Sequence, residues 1–339
     1  MSRAAYEATP PPASARRPRG ELNPVLLREL RARFRSARAF SVLTTFLLFA
    51  SGLAWAVYAR EAGGGAASGL PGAAVGGEIG PVVFGAVLLA ELLTLLLVAP
   101  GLTMAAISGE IERRTYELLL ATPLSGWTIV RGKLGAAMAY LLLLASSVLP
   151  VASLAFVLGG LGPLDLLRGQ AAVLVAGLLM ASLGLAASAL LQRTERAAIL
   201  AYLGAAALCL GPLVALWLID ALGLPDPLLR RLAVGVLSRS TPLLSAMVAG
   251  REGIFGLIYG AGALRGLDAD AGVDAFLLQS LALQTGLAAA LCAWAAGRVR
   301  PSGRERRWGI GLAGLLLVWL VWLLAVPVDW RLALGLGGG

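Results

Sequence analysis

The sequence predicts an all-α integral membrane protein, a bundle of six core spans plus a seventh at the C-terminal end, with its N-terminus in the cytoplasm. Three observations predict it. The chain is 58% hydrophobic and only 14% charged, with a mean hydropathy of +0.83, far outside the range of soluble domains. Seven runs reach the roughly 20 apolar residues needed to cross a bilayer as a helix. The basic residues also divide unevenly between the two sides that those runs define.

The runs are Ala39–Tyr58, Ile79–Ile107, Leu134–Leu158, Ala171–Leu191, Ala197–Ile219, Ala275–Ala296 and Trp308–Pro327. Trp55 and Tyr58 sit at the outer edge of the first run like interface anchors, and its leader of 38 residues argues against a cleaved signal. With the N-terminus inside, 20 basic and 8 acidic residues face the cytoplasm, against 8 and 10 outside. Such a lining suits anionic lipid, so the basic balance points to membrane lipid and not to nucleic acid. Only Glu91 places a charge within a run.

Residues 1–22 are rich in Pro, Ala and Arg and read as a disordered cytoplasmic tail. Residues 23–297 form the transmembrane domain, and 298–339 add a basic cytoplasmic loop, the extra span and a short external tail. Asn23-Pro24 opens an amphipathic helix over 23–38. Leu26, Leu27, Leu30 and Phe34 form its apolar face, and Arg28, Arg31, Arg35 and Arg38 its basic face, a pattern for lying in the inner interface. Residues 192–196 form a tight cytoplasmic turn that makes spans four and five a hairpin, and 159–170 a short external turn. Residues 221–274 are the large external segment, where Asp226-Pro227 and Thr241-Pro242 each resemble a cap followed by Pro at the first helical position. Within it, 253–264 is too short to span and fits a re-entrant or surface helix.

The charged segment between the second and third runs carries the strongest functional signal. Read as one helix over 110–121, Glu110, Arg113, Arg114 and Glu117 share one surface, with Ile111, Thr115, Leu118 and Leu119 opposite. Ser108 is placed as its N-cap and Thr122-Pro123 as its stop. It is either a solvated connector or a docking helix for a cytoplasmic partner.

Catalytic chemistry finds little support. Gly132-Lys133 is followed by Leu134, with Trp127 where a phosphate-cradling loop needs Gly. The chain has no histidine, and Cys209 and Cys292 both fall inside runs, so neither a metal site, a Cys–His nucleophile nor a disulfide is indicated. Glu91 either lines a substrate path or takes up a proton, or is a hydrogen-bonded carboxyl between helices. Gln279 and Gln284 are further candidates for a pathway.

Two stretches resemble a known family, the permease subunits of type-2 ATP-binding-cassette transporters. They are NPVLLRELRARFRSARAF before the first run and SGEIERRTYELLLATPLSGWTIVRGKL after the second. The family's form, roughly E-x-E-x-G-T-x-E-L-L-x-x-T-P-L-S, is met by Glu110, Glu112, Thr115, Glu117, Leu118, Leu119, Thr122, Pro123, Leu124 and Ser125. Arg114 replaces the usual Gly and Tyr116 the usual Leu, departures expected to leave the helix intact. The resemblance spans Asn23 to Pro212, including LLQRTERAAILAY at the turn into span five.

The resemblance implies an exporter permease without its own cofactor, ATP being bound by a separate ATP-binding-cassette ATPase subunit. Glu110, Glu112, Arg113, Arg114, Thr115, Glu117, Leu118, Thr122 and Pro123 would dock on that subunit. A homodimer, or a heterodimer with a second permease, would form the path in a bacterial or archaeal cytoplasmic membrane. The alternatives are an ion-coupled secondary transporter using Glu91, which would need inverted repeats, and a membrane scaffold with no transport role.

Overall fold

The computed structural model describes residues 24–34, 37–67, 72–121, 124–222, 227–250 and 273–299. Within them the chain forms eleven α-helices and no strand. They are α1 (Pro24–Phe34), α2 (Ala37–Ala67), α3 (Gly72–Thr103), α4 (Ser108–Glu112), α5 (Tyr116–Ala121) and α6 (Gly126–Leu158). Then follow α7 (Pro163–Leu190), α8 (Thr194–Leu222), α9 (Pro227–Ser240), α10 (Pro242–Ala249) and α11 (Val273–Val299). Six stretches, built on α2, α3, α6, α7, α8 and α11, are long and apolar enough to cross a membrane. The tail, the run Trp308–Pro327 and the predicted re-entrant stretch 253–264 lie outside the described residues.

The bundle is organised around α3 and α7. In each, 67% of the most apolar window is buried, against 22% in α2 and 28% in α8, which flank the centre. Lipid tails are as apolar as Leu, so helices in a bilayer associate through close packing more than through hydrophobicity. The sequence supplies that packing through small residues. Gly169, Gly177 and Gly184 run down α7 toward Leu88, Leu95 and Pro100 of α3. A Cβ at Gly184 would sit 2.8 Å from the Pro100 carbonyl oxygen, so only glycine permits this approach. Thr103 Oγ1 closes the same contact, donating to the Ala181 carbonyl at 2.8 Å.

Several boundaries differ from the sequence reading. Helix α3 stays helical through Pro81 and Pro100 and ends at Thr103, four residues before the end of the predicted run at Ile107. Helix α7 starts at Pro163, eight residues before the predicted span, because Pro suits a first turn and Asp165 Oδ2 accepts from the Gly162 N–H at 2.9 Å. Its first turns are polar, and hydropathy does not register them. The bent element of the external segment is α9 with the adjoining α10, turned by 81°. Thr241 sits at this bend, but its hydroxyl donates to the Cys209 carbonyl of α8 at 2.9 Å and does not cap α10.

Candidate functional site

After α3, residues 104–107 form a tight turn and lead into α4. The predicted single helix 110–121 is in fact two short helices. Arg114 has φ 56°, in the left-handed region. The Thr115 N–H donates to the Glu110 carbonyl at 2.9 Å and the Arg114 N–H to that of Ile111 at 3.0 Å. This is the hydrogen-bond pattern of a Schellman ending, which normally carries Gly at the left-handed position. Arg114 stands where the resembled pattern has Gly, so that position marks the break. Ser108 is likewise not the cap. It lies inside α4, buried, while Ile107 is the N-cap residue and makes no side-chain cap bond.

The two acids of α4 point in different directions, each at a partner far along the chain. Glu110 turns into the bundle, where the Lys133 ammonium of α6 donates to it at 2.8 Å and to Glu29 of α1 at 3.1 Å. Lys133 is only 3% exposed, and this pair of carboxylates is what allows a cation to be buried there. Arg28 approaches Glu110 at 3.8 Å from the surface. Glu112 turns to the start of α8, accepting from the Thr194 N–H at 2.8 Å and from its hydroxyl at 2.9 Å. A carboxylate there complements the positive end of the α8 dipole.

Serines tie the same segment to the α7–α8 turn. The backbone N–H groups of Ile107 and Ser108 donate to Ser188 Oγ at 2.9 and 3.0 Å. Ser108 Oγ lies 3.2 Å from both Ser188 Oγ and Thr194 Oγ1. Tyr116 of α5 donates to the Val299 carbonyl at the end of α11, at 2.9 Å. Burial and the nearby Glu110 carboxylate hold its phenol above the usual value, keeping it a neutral donor.

What remains outward is Arg113, Arg114, Thr115, Glu117 and Leu118, all exposed. Leu118 is 70% exposed at an end of the bundle rich in charge. The predicted pairing of Glu110 with the arginines on one surface is therefore not formed. Thr122 and Pro123 lie outside the described residues. On α1, Leu26 and Leu30 are half-buried and Arg28 and Arg31 exposed. Leu26 lies 3.3 Å from where a Cβ on Gly135 of α6 would stand. The Phe34 side chain and Arg35 lie outside the described residues.

The three candidate pathway residues are not brought together. Glu91 is fully buried between α3 and α7 and accepts from Gln170 Nε2 at 2.8 Å. Gln279 accepts from the Arg239 guanidinium at 2.7 Å. Gln284 donates to the Ser245 hydroxyl at 3.1 Å and to the Arg239 and Thr241 carbonyls at the α9–α10 bend. Those two glutamines therefore help hold the bent pair. Arg239 is 1% exposed and lies over the Phe276 ring at 4.9 Å. The residues that line a space are others. A cleft of 720 Å³ opens between α2, α3 and α8, walled by Phe46, Phe49, Leu93, Leu97, Tyr202 and Cys209 among others.

Lys133, Glu29, Thr194, Ser188 and Gln170 are the site residues that sequence reasoning missed. Gly-Lys at the entry to a span was the available signal for Lys133, since a cation there needs a partner. The others carry no local mark.

No curated protein matches the chain. A family model does, that of the ABC-2 family transporter proteins, over residues 25–228. The match runs from α1 to the start of α9 and takes in the whole segment just described. Together with six apolar spans, it shows a multi-pass cell-membrane permease of ATP-binding-cassette type, and the chain belongs to the ABC-2 transporter family.

Proposed function

We propose that this chain is the membrane-spanning subunit of an ATP-driven exporter, paired with a second copy or a homologous chain. ATP is bound and hydrolysed on a separate ATPase subunit that docks on the Arg113–Ala121 surface. One observation carries this reading. The acids of α4 are spent on internal braces, so the segment is rigid yet leaves two arginines, Glu117 and Leu118 facing outward. A solvated connector has no need of braces to three elements. Rigid-body motion of α4 and α5 is then passed to the spans. The cleft between α2, α3 and α8 is the substrate-facing space, and the weakly buried α2 and α8 are its movable walls. Secondary transport through Glu91 has less support, because that carboxyl faces Gln170 and not the cleft.

The test is co-purification of the chain with a co-expressed ATPase carrying a Walker motif. Leu118→Pro removes a backbone donor and clashes with the preceding turn, at a local cost of about 3 kcal/mol or more. Glu117→Arg reverses an exposed charge. Both variants should insert in the membrane and lose the ATPase. Undiminished co-purification by both would remove the docking role.

A further inference from the structure

We infer that Glu112 is a positioning residue that carries motion of the docking segment into α8, and so sets the width of the apolar cleft. This presupposes an ATPase docked on α5, and it goes further by naming the link and the helix that moves.

The geometry singles out this link. Both carboxylate oxygens of Glu112 reach across to Thr194, one to the backbone N–H and one to the hydroxyl. Thr194 is the first residue of α8. It is also held by Ser108, one helical turn before Glu112, through the 3.2 Å contact of their hydroxyls. Two side chains of one short helix therefore grip one residue at the tip of one span. A displacement of α4 cannot leave that tip behind without breaking at least three hydrogen bonds.

Helix α8 is suited to respond. Only 28% of its apolar window is buried, less than in any other span but α2. The cleft wall on α8 runs from Tyr202 to Leu210. Cys209 lies fifteen residues beyond Thr194, about 22 Å along the helix axis. The facing wall is α3, one of the two central helices. Tyr202 bridges the two walls, its hydroxyl donating to the Leu97 carbonyl at 2.9 Å. Tilting α8 away from α3 would break that bridge and widen the space. The Glu110–Lys133 pair, by contrast, ties α4 to α6 and α1, neither of which lines the cleft. Of the two acids, Glu112 alone leads to a cleft wall.

Cys209 lines the cleft and is buried, and Cys292 is the other cysteine of the chain. A Cys292→Ser background thus leaves one thiol at the moving wall. The experiment measures the rate of N-ethylmaleimide modification at Cys209 in the full complex with its ATPase, without nucleotide and with ATP plus vanadate. Co-purification of the ATPase is scored in parallel. In the background protein the nucleotide should change the rate. In Glu112→Ala the two rates should converge, by a factor within the roughly 2- to 30-fold range seen when couplings along packed networks are cut. Glu112→Gln, which keeps one acceptor, should fall between, and Thr194→Ser, which keeps both donors, should behave as the background.

A nucleotide-dependent rate that survives Glu112→Ala overturns the inference, as does a background protein whose rate ignores nucleotide. Loss of the ATPase from Glu112→Ala also overturns it, making Glu112 a docking contact. Failure of the background protein itself to hold an ATPase would instead sink the docking reading on which the inference rests.

Discussion

Replacing Lys133 with Met should destabilise the protein through the acids it leaves behind, not through lost packing. Met fills a similar volume and suits an apolar site, so the change isolates charge. In the native protein one ammonium serves Glu110 at 2.8 Å and Glu29 at 3.1 Å. Removing one partner of a buried pair typically costs about 3–5 kcal/mol. The two carboxylates retain 12% and 21% side-chain exposure, so water can reach them. That places the expected cost near the lower end, about 3 kcal/mol. At about 2–4 °C per kcal/mol the melting temperature should fall by roughly 6–12 °C. The two buried cysteines supply the assay, since a thiol-reactive fluorogenic dye reports their exposure on heating in detergent. Adding Glu110→Gln to Lys133→Met removes one stranded charge and should recover a large part of the loss. The single changes would then be non-additive. Additivity within about 0.5 kcal/mol would refute the pairing as an energetic unit, as would an unchanged melting temperature in Lys133→Met.

Three further outcomes follow from local geometry. Arg114→Gly should raise the melting temperature, because a side chain in the left-handed region costs about 1–2 kcal/mol that glycine does not pay; a fall would contradict the φ of 56° there. Gly80→Ala would drive a Cβ onto the Gly159 carbonyl and to 2.7 Å from that of Ala155, forcing α3 and α6 apart. It should cost about 1–3 kcal/mol, whereas Gly52→Ala, with nothing within 4 Å, should be neutral in the same melting assay. In a background lacking Cys209 and Cys292, a membrane-impermeant maleimide added outside intact cells should label Gly63→Cys and spare Arg113→Cys, both exposed positions. Labelling of the second site would reverse the topology.

Six of the seven predicted spans appear among the described residues, because the bilayer makes a demand that composition alone can meet: about 20 apolar residues with every backbone group bonded internally. Helix starts rich in polar residues escaped that signal, as Asp165 and Arg168 show in the first turns of α7. The break at Arg114 escaped it too, because helical spacing holds on both sides and only a backbone angle separates them. Its one trace was an arginine where the resembled pattern has glycine. Pairings were the least legible. Glu112 meets a residue 82 positions away, and Glu91 one 79 away. Nothing local distinguishes a glutamate that will dock on a partner from one that will brace a neighbouring helix. That choice is made by which helices the small residues of α7 allow to come together.

The most direct test of the central claim is ATP hydrolysis by the partner ATPase in liposomes, with and without this chain. The account predicts that the chain raises the rate and that Leu118→Glu, a change to one exposed side chain, abolishes the rise while the protein remains inserted. A rate indifferent to the chain, or equally raised by the variant, would contradict it.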